Sequence, residues 1–302
     1  MFSIISDFVT HKTCGNSYFH TIIVHCDKIF VEVVKMSECS HNCGSCGQDC
    51  SSRVEINPTD DTNIKKIIGV LSGKGGVGKS MVSSLLAVEL ARKGYRVGIM
   101  DADITGPSIP NMFNLHGQLM GDEKGIYPLE TSLGIKVISI NNMLENEEDP
   151  VLWRGPMLGG LIRQFYTEVH WGDLDFLLID MPPGTSDVAI SIIQQIPVDE
   201  FVMVTTPSKL VSMIVSKAIN MTKEVSKPIV GLIENMAYIK CDNCNHEIKL
   251  YKNDETENTA RRYGLEVLAK IPMDSELAYD ADEGNIESYS NNLMDELINK
   301  IK

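Results

Sequence analysis

The stretch "SGKGGVGKS", residues 72 to 80, contains glycines, two lysines and a terminal serine directly after the apolar run "IKKIIGV". "GKGGVGKS" matches the phosphate-loop pattern G-x-x-x-x-G-K-[ST] through Gly73, Gly78, Lys79 and Ser80. Glycines let a backbone approach phosphate oxygens closely, so successive N–H groups at a helix N-terminus can converge on the anion. Gly73, Lys74, Gly75, Gly76, Val77, Gly78, Lys79 and Ser80 are therefore the expected ATP-binding residues. Lys79 is expected to reach the β and γ phosphates and Ser80 to ligate Mg²⁺. Lys74 is one lysine more than such a loop needs. It lies before the wrapping glycines, so it need not point into its own site: it reads either as a solvated loop lysine or as a cation at a surface facing a partner.

Carboxylates supply the rest of this chemistry. "DADITGPS" closes an apolar run with Asp101 and Asp103, and "LLIDMPPGTSD" closes another with Asp180. Strand-end aspartates often only cap turns. Two such ends beside a phosphate loop can instead orient water or hold hydrated Mg²⁺.

The chain has eight cysteines. Their clustering reads as metal or cluster binding in a reducing, cytoplasmic setting rather than as a disulfide framework. Cys241 and Cys244 form a lone pair in "KCDNCNHE". Two thiolates cannot complete a four-ligand zinc site or 4Fe–4S cluster, whereas a two-fold homodimer repeats the pair and supplies four. A bridging iron–sulfur cluster is expected, with a redox CxxC and a zinc knuckle using His246 as the alternatives. Cys39, Cys43, Cys46 and Cys50 are spaced C-x₃-C-x₂-C-x₃-C, dense enough to wrap a second cluster. With His41 nearby, zinc is the competing reading for that segment.

The elements that must position these groups are legible. From Ile64 onward, the apolar runs "IKKIIGVLS", "YRVGIMDAD", "IKVISI", "LDFLLIDMPPG", "EFVMVTTPS", "KPIVGLIEN" and "EVLAKIP" are separated by helical stretches, among them "SMVSSLLAVELARKG", "GGLIRQFYTEVH" and "SMIVSKAINMTKEV". Near-continuous apolar strands with helical crossovers predict an α/β, doubly wound, mostly parallel sheet with both faces covered. Residues 64 to 302 are expected to form this domain, and residues 36 to 63 a cysteine-rich segment and polar linker. Residues 1 to 35 lack a signal-peptide pattern. They read either as a β-rich extension or as sequence upstream of a start at Met36.

The net charge of −14 disfavours a nucleic-acid partner. The sequence has no run of eighteen apolar residues, so no membrane span is expected.

"GKGGVGKS" resembles the deviant phosphate-loop ATPases, the class of MinD, ParA and nitrogenase iron protein. Together with "DADITGPS", "WRGPM", "DMPPGTSD" and "ENMAYIKCDNC", it resembles the Mrp/ApbC-type iron–sulfur cluster carrier ATPases over about residues 64 to 290. The resemblance implies a homodimer that hydrolyses ATP and delivers clusters to recipient apoproteins. It also implies roles for single residues. Lys74 would reach the partner's nucleotide, Asp103 would activate water, and Asp180 would hold Mg²⁺ through water. Gly184 would sense the γ-phosphate, and Asn235 would meet adenine. The rival reading is a MinD/ParA-like positioning or partitioning ATPase with structural zinc. Its membrane version is weakened by the short, mixed-charge C-terminal "NNLMDELINKIK".

Overall fold

A computed structural model describes residues 18–25, 28–35, 57–103, 106, 108–144, 155–241, 243–251, 255–290 and 292–302. The chain divides into two units, Met1–Glu55 and Ile56–Lys302. In the first, strands Tyr18–His25 and Lys28–Lys35 pair antiparallel, with Tyr18 opposite Lys35 and His25 opposite Lys28. Cys39, Cys43, Cys46 and Cys50, the expected second cluster segment, lie outside the described residues, as does Met36.

The second unit is built on one eight-stranded sheet. Its strands are β1 (Ile67–Ser72), β2 (Val97–Asp101), β3 (Leu129–Glu130), β4 (Lys136–Ser139), β5 (Phe176–Asp180), β6 (Glu200–Thr205), β7 (Ile229–Glu234) and β8 (Val267–Lys270). Their order is β8-β7-β6-β1-β5-β2-β4-β3. Every pairing is parallel except β3 with β4. Each of the seven apolar runs thus forms a parallel strand. The antiparallel edge strand β3 is too short to leave a period-two pattern in the sequence.

Residues along β1, β2 and β5 are buried without alternation, as they must be when both faces of the sheet are covered. The covering helices include α1 (Lys79–Arg92), α2 (Gly155–Thr167), α3 (Asp187–Gln195), α4 (Lys209–Glu224), α5 (Glu255–Tyr263), α6 (Ser275–Asp282) and α7 (Asp295–Ile301). Helix α1 is buried from Val82 to Leu90 and carries no polar stripe. That is the pattern of a helix enclosed on all sides.

Two glycines let the sheet close tightly against large side chains. A Cβ on Gly69 in β1 would lie 2.3 Å from the Phe201 ring, and one on Gly98 in β2 would lie 2.9 Å from Trp171. Both aromatics are fully buried.

Candidate functional site: a phosphate loop, buried carboxylates and a cysteine hairpin

The phosphate loop links β1 to α1 at the carboxyl end of the sheet's central strand, where doubly wound folds bind ligands. Gly78 caps α1 in the left-handed region, at φ 77° and ψ 31°. A side chain rarely adopts that conformation, so glycine is required there. Lys74, Gly75 and Gly76 are exposed, and a Cβ on Gly75 or Gly76 would meet nothing within 4 Å. The loop rim is therefore open to a ligand. The Ser72 hydroxyl donates to the Lys74 carbonyl at 3.1 Å, which pins the start of the loop.

Strand register brings the carboxylates together. Asp101 and Asp180 are direct partners across β2 and β5, and both are buried. Lys79 is also buried, with Nζ 2.7 Å from Asp180 Oδ2 and 3.4 Å from Asp103 Oδ2. The ammonium is thus held between two carboxylates at the base of the loop. The Ser80 hydroxyl donates to Asp180 Oδ2 at 2.6 Å. Burial, and after it the Asp180 charge, pushes the Asp101 carboxyl up to about 8. Asp101 accepts from the Ser139 hydroxyl at 3.1 Å and from the Asp103 backbone N–H at 3.2 Å. It thus holds the backbone that carries Asp103.

These residues fit a magnesium nucleotide. Mg²⁺ usually takes one or two carboxylates together with phosphates and waters, not a complete protein cage. Among the described residues no three His, Cys, Asp or Glu side chains are arranged to hold a metal ion.

Sequence reasoning did not single out Ser83. It lies on α1 one turn beyond Ser80, and its hydroxyl is 2.8 Å from Asp180 Oδ1 and 3.1 Å from the Lys79 carbonyl. The i, i+3 spacing from Ser80 was the available signal. Two other residues named from the sequence have unexpected bonds. The Gly184 N–H donates to the Ser72 carbonyl at 2.9 Å, so it is engaged within the protein. The Asn235 side chain is fully buried and donates to the Val77 carbonyl at 2.9 Å.

The cysteine pair stands apart from the carboxylates in the chain. Strands Ile239–Lys240 and Glu247–Ile248 pair antiparallel, and the pair lies in the loop between them. The Cys241 N–H donates to the His246 carbonyl at 3.0 Å, and the Asn245 N–H donates to the Cys241 carbonyl at 2.8 Å. Asn245 closes this turn in the left-handed region at φ 56°. Neither cysteine is in a disulfide; Cys241 is half-buried and Cys244 is exposed. The described residues on the far side of the pair, from 243 to 251, are all exposed.

A parallel sheet with a phosphate loop at its central strand, a buried lysine and strand-end carboxylates defines a P-loop NTPase. The family model "ParA: NUBPL iron-transfer P-loop NTPase" matches residues 63–302, and the chain belongs to that family. It is 43% identical over 258 residues to the "Iron-sulfur cluster carrier protein" of Clostridium perfringens, covering 82% of this chain and 90% of that protein. It is 39% identical over 224 residues to the "Iron-sulfur cluster transfer protein NUBPL" of Dictyostelium discoideum, covering 73% and 69% respectively. Among solved structures it is similar to a nucleotide-binding protein from Archaeoglobus fulgidus in complex with ADP. The TM-score there is 0.69 at 41% identity, over 76% of this chain and 90% of that one. The cell-division ATPase MinD of Pyrococcus furiosus shares the fold, with TM-score 0.53 and 21% identity over 78% and 98%.

Proposed function

We propose that the protein is an ATP-dependent iron–sulfur cluster carrier that works as a homodimer in the cytoplasm and hands its cluster to recipient apoproteins. One observation carries this reading. The only cysteines among the described residues of the nucleotide-binding unit, half-buried Cys241 and exposed Cys244, form a pair on a short hairpin. That hairpin begins five residues beyond the end of β7, the strand whose terminus leads into Asn235 beside the phosphate loop. A nucleotide-dependent change at the loop thus has a short covalent route to the thiols. The names of the relatives support the same cargo.

At the nucleotide, the loop N–H groups and Lys79 would hold the phosphates, and Asp103 would orient the attacking water. Ser80 and Asp180 would hold Mg²⁺, which would supply positive charge to offset that of the phosphates. Lys74, exposed at the loop rim, would serve the partner subunit's nucleotide. At the other end, two copies of Cys241 and Cys244 would supply the four thiolates of a 4Fe–4S cluster. ATP binding closes the dimer and hydrolysis loosens it, which changes the geometry around the cluster.

The testing experiment is anaerobic purification and reconstitution in a background with Cys39, Cys43, Cys46 and Cys50 changed to Ser. This protein should show cluster absorption and about four irons per dimer. Adding Cys241→Ser and Cys244→Ser should abolish both. Iron content unchanged by those two substitutions, or zinc in place of iron, defeats the carrier reading.

A further inference from the structure

The phosphate loop is held in shape by a residue from a different strand. Asn235 follows β7 directly, and its side chain has no exposed surface. Nδ2 donates to the Val77 carbonyl at 2.9 Å, and Oδ1 accepts the Met236 backbone N–H at 3.0 Å. The Asn235 backbone N–H donates to the Thr205 carbonyl at 2.8 Å, at the end of β6. Both ends of the amide and the backbone beneath it are therefore engaged.

The fit against the loop is steric as well as polar. A Cβ built on Gly78 would lie 2.2 Å from Asn235 Nδ2, closer than any side chain allows. Gly78 is thus required twice, for its φ of +77° and for the space the Asn235 amide fills. On the other side, Met236 sits in the left-handed region at φ 55°, a costly conformation for a non-glycine residue. That conformation accompanies the Met236 N–H bond to Oδ1. Glu234, one residue earlier and buried, accepts from the Thr256 hydroxyl and lies 3.8 Å from Lys270, anchoring the strand end to α5 and β8.

We infer that Asn235 is a positioning residue for phosphate binding: it locks the Val77–Gly78 peptide so that the loop's N–H groups stay converged on the phosphates. This differs from the adenine contact that the family resemblance implies. A side chain without exposed surface, bonded at both ends inside the protein, is placed to shape the loop. The inference rests on reading residues 73–80 as a phosphate site.

The two roles separate with a ligand that has phosphates and no base. ATP and inorganic tripolyphosphate, each with Mg²⁺, are titrated calorimetrically into the full-length protein and into Asn235→Ala and Asn235→Ser. Asn235→Ala removes the amide without adding charge, and Asn235→Ser leaves a hydroxyl too short to reach Val77. Both variants should bind both ligands about tenfold more weakly, and by the same factor for each. A loss for ATP with tripolyphosphate binding unchanged assigns Asn235 to the base and overturns the inference.

A second measurement needs no variant. In the wild-type protein, tripolyphosphate should slow amide hydrogen exchange in peptides covering residues 232–237 as well as 73–82. Protection confined to 73–82 overturns the inference while the phosphate site stands. A wild-type protein that binds neither ligand removes the phosphate-site reading and this inference with it.

Discussion

Asp180 concentrates the demands of the nucleotide site on one side chain. It is fully buried and is met by the Lys79 ammonium and by the Ser80 and Ser83 hydroxyls. A buried carboxylate is tolerable only when paired and hydrogen-bonded. Lys79→Ala removes its counter-ion as well as the phosphate contact. ATP binding measured by calorimetry should fall below detection, and cluster delivery to an apoprotein in cells should stop. Delivery at the normal rate would refute nucleotide gating. Ser83→Ala is a finer test. Losing one charge-assisted hydrogen bond should cost about 1–2 kcal/mol of stability in urea unfolding and raise the Mg²⁺ concentration needed for ATP binding several-fold. Ser83→Thr, which keeps the hydroxyl, should restore the Mg²⁺ requirement.

Among the elements, α1 bears a second buried acid with a different consequence. Glu89 is 4% exposed, with the Met294 backbone N–H facing its carboxylate. Burial drives its carboxyl up to about 7, and the Asp295 charge on α7 adds to the rise. The Met294 backbone N–H, Lys93 and Arg92 oppose it. Lys93 is drawn to Asp295 instead, 2.7 Å away. The unfolded carboxyl titrates near its ordinary 4.5. Between that value and about 7 the folded chain keeps a proton that the unfolded chain gives up, so stability from this group falls as pH rises and levels off above 7. Glu89→Gln should therefore stabilise the protein by about 3 kcal/mol at pH 8 and by almost nothing at pH 4.5, read from urea midpoints at both pH values. Equal effects at both would show that folding leaves the Glu89 titration unshifted. In the sheet, Gly69→Ala should cost about 1–3 kcal/mol through overpacking against Phe201, measured the same way.

For the whole molecule, the expectation is a protein whose nucleotide and cargo sites each need a second copy. Analytical ultracentrifugation with ATP and Mg²⁺ should show a dimer in the Lys74→Ala protein as in wild type, because the lysine would act on the partner's phosphates rather than hold the subunits together. ATP turnover should fall at least tenfold. A Lys74→Ala protein with unchanged turnover would place this lysine outside the chemistry. Among the described residues no helix is long and apolar enough to cross a membrane.

The sequence alone determined the class of fold and the phosphate loop. Seven apolar runs carry their own strand signal, and nine consecutive residues, 72 to 80, carry the loop's chemistry, so neither needs knowledge of what lies across the molecule. The loop's glycines and lysine act through local backbone geometry that a contiguous motif can record. What folding decided is everything joined over long chain separations. Ser80 meets Asp180 across 100 residues, and Asn235 meets Val77 across 158. The burial that raises Asp101 comes from strand order, and the Asp180 charge that adds to it comes from the neighbouring strand. Strand order and register set these contacts, and hydrogen-bonding capacity written in a side chain does not say which distant partner will use it.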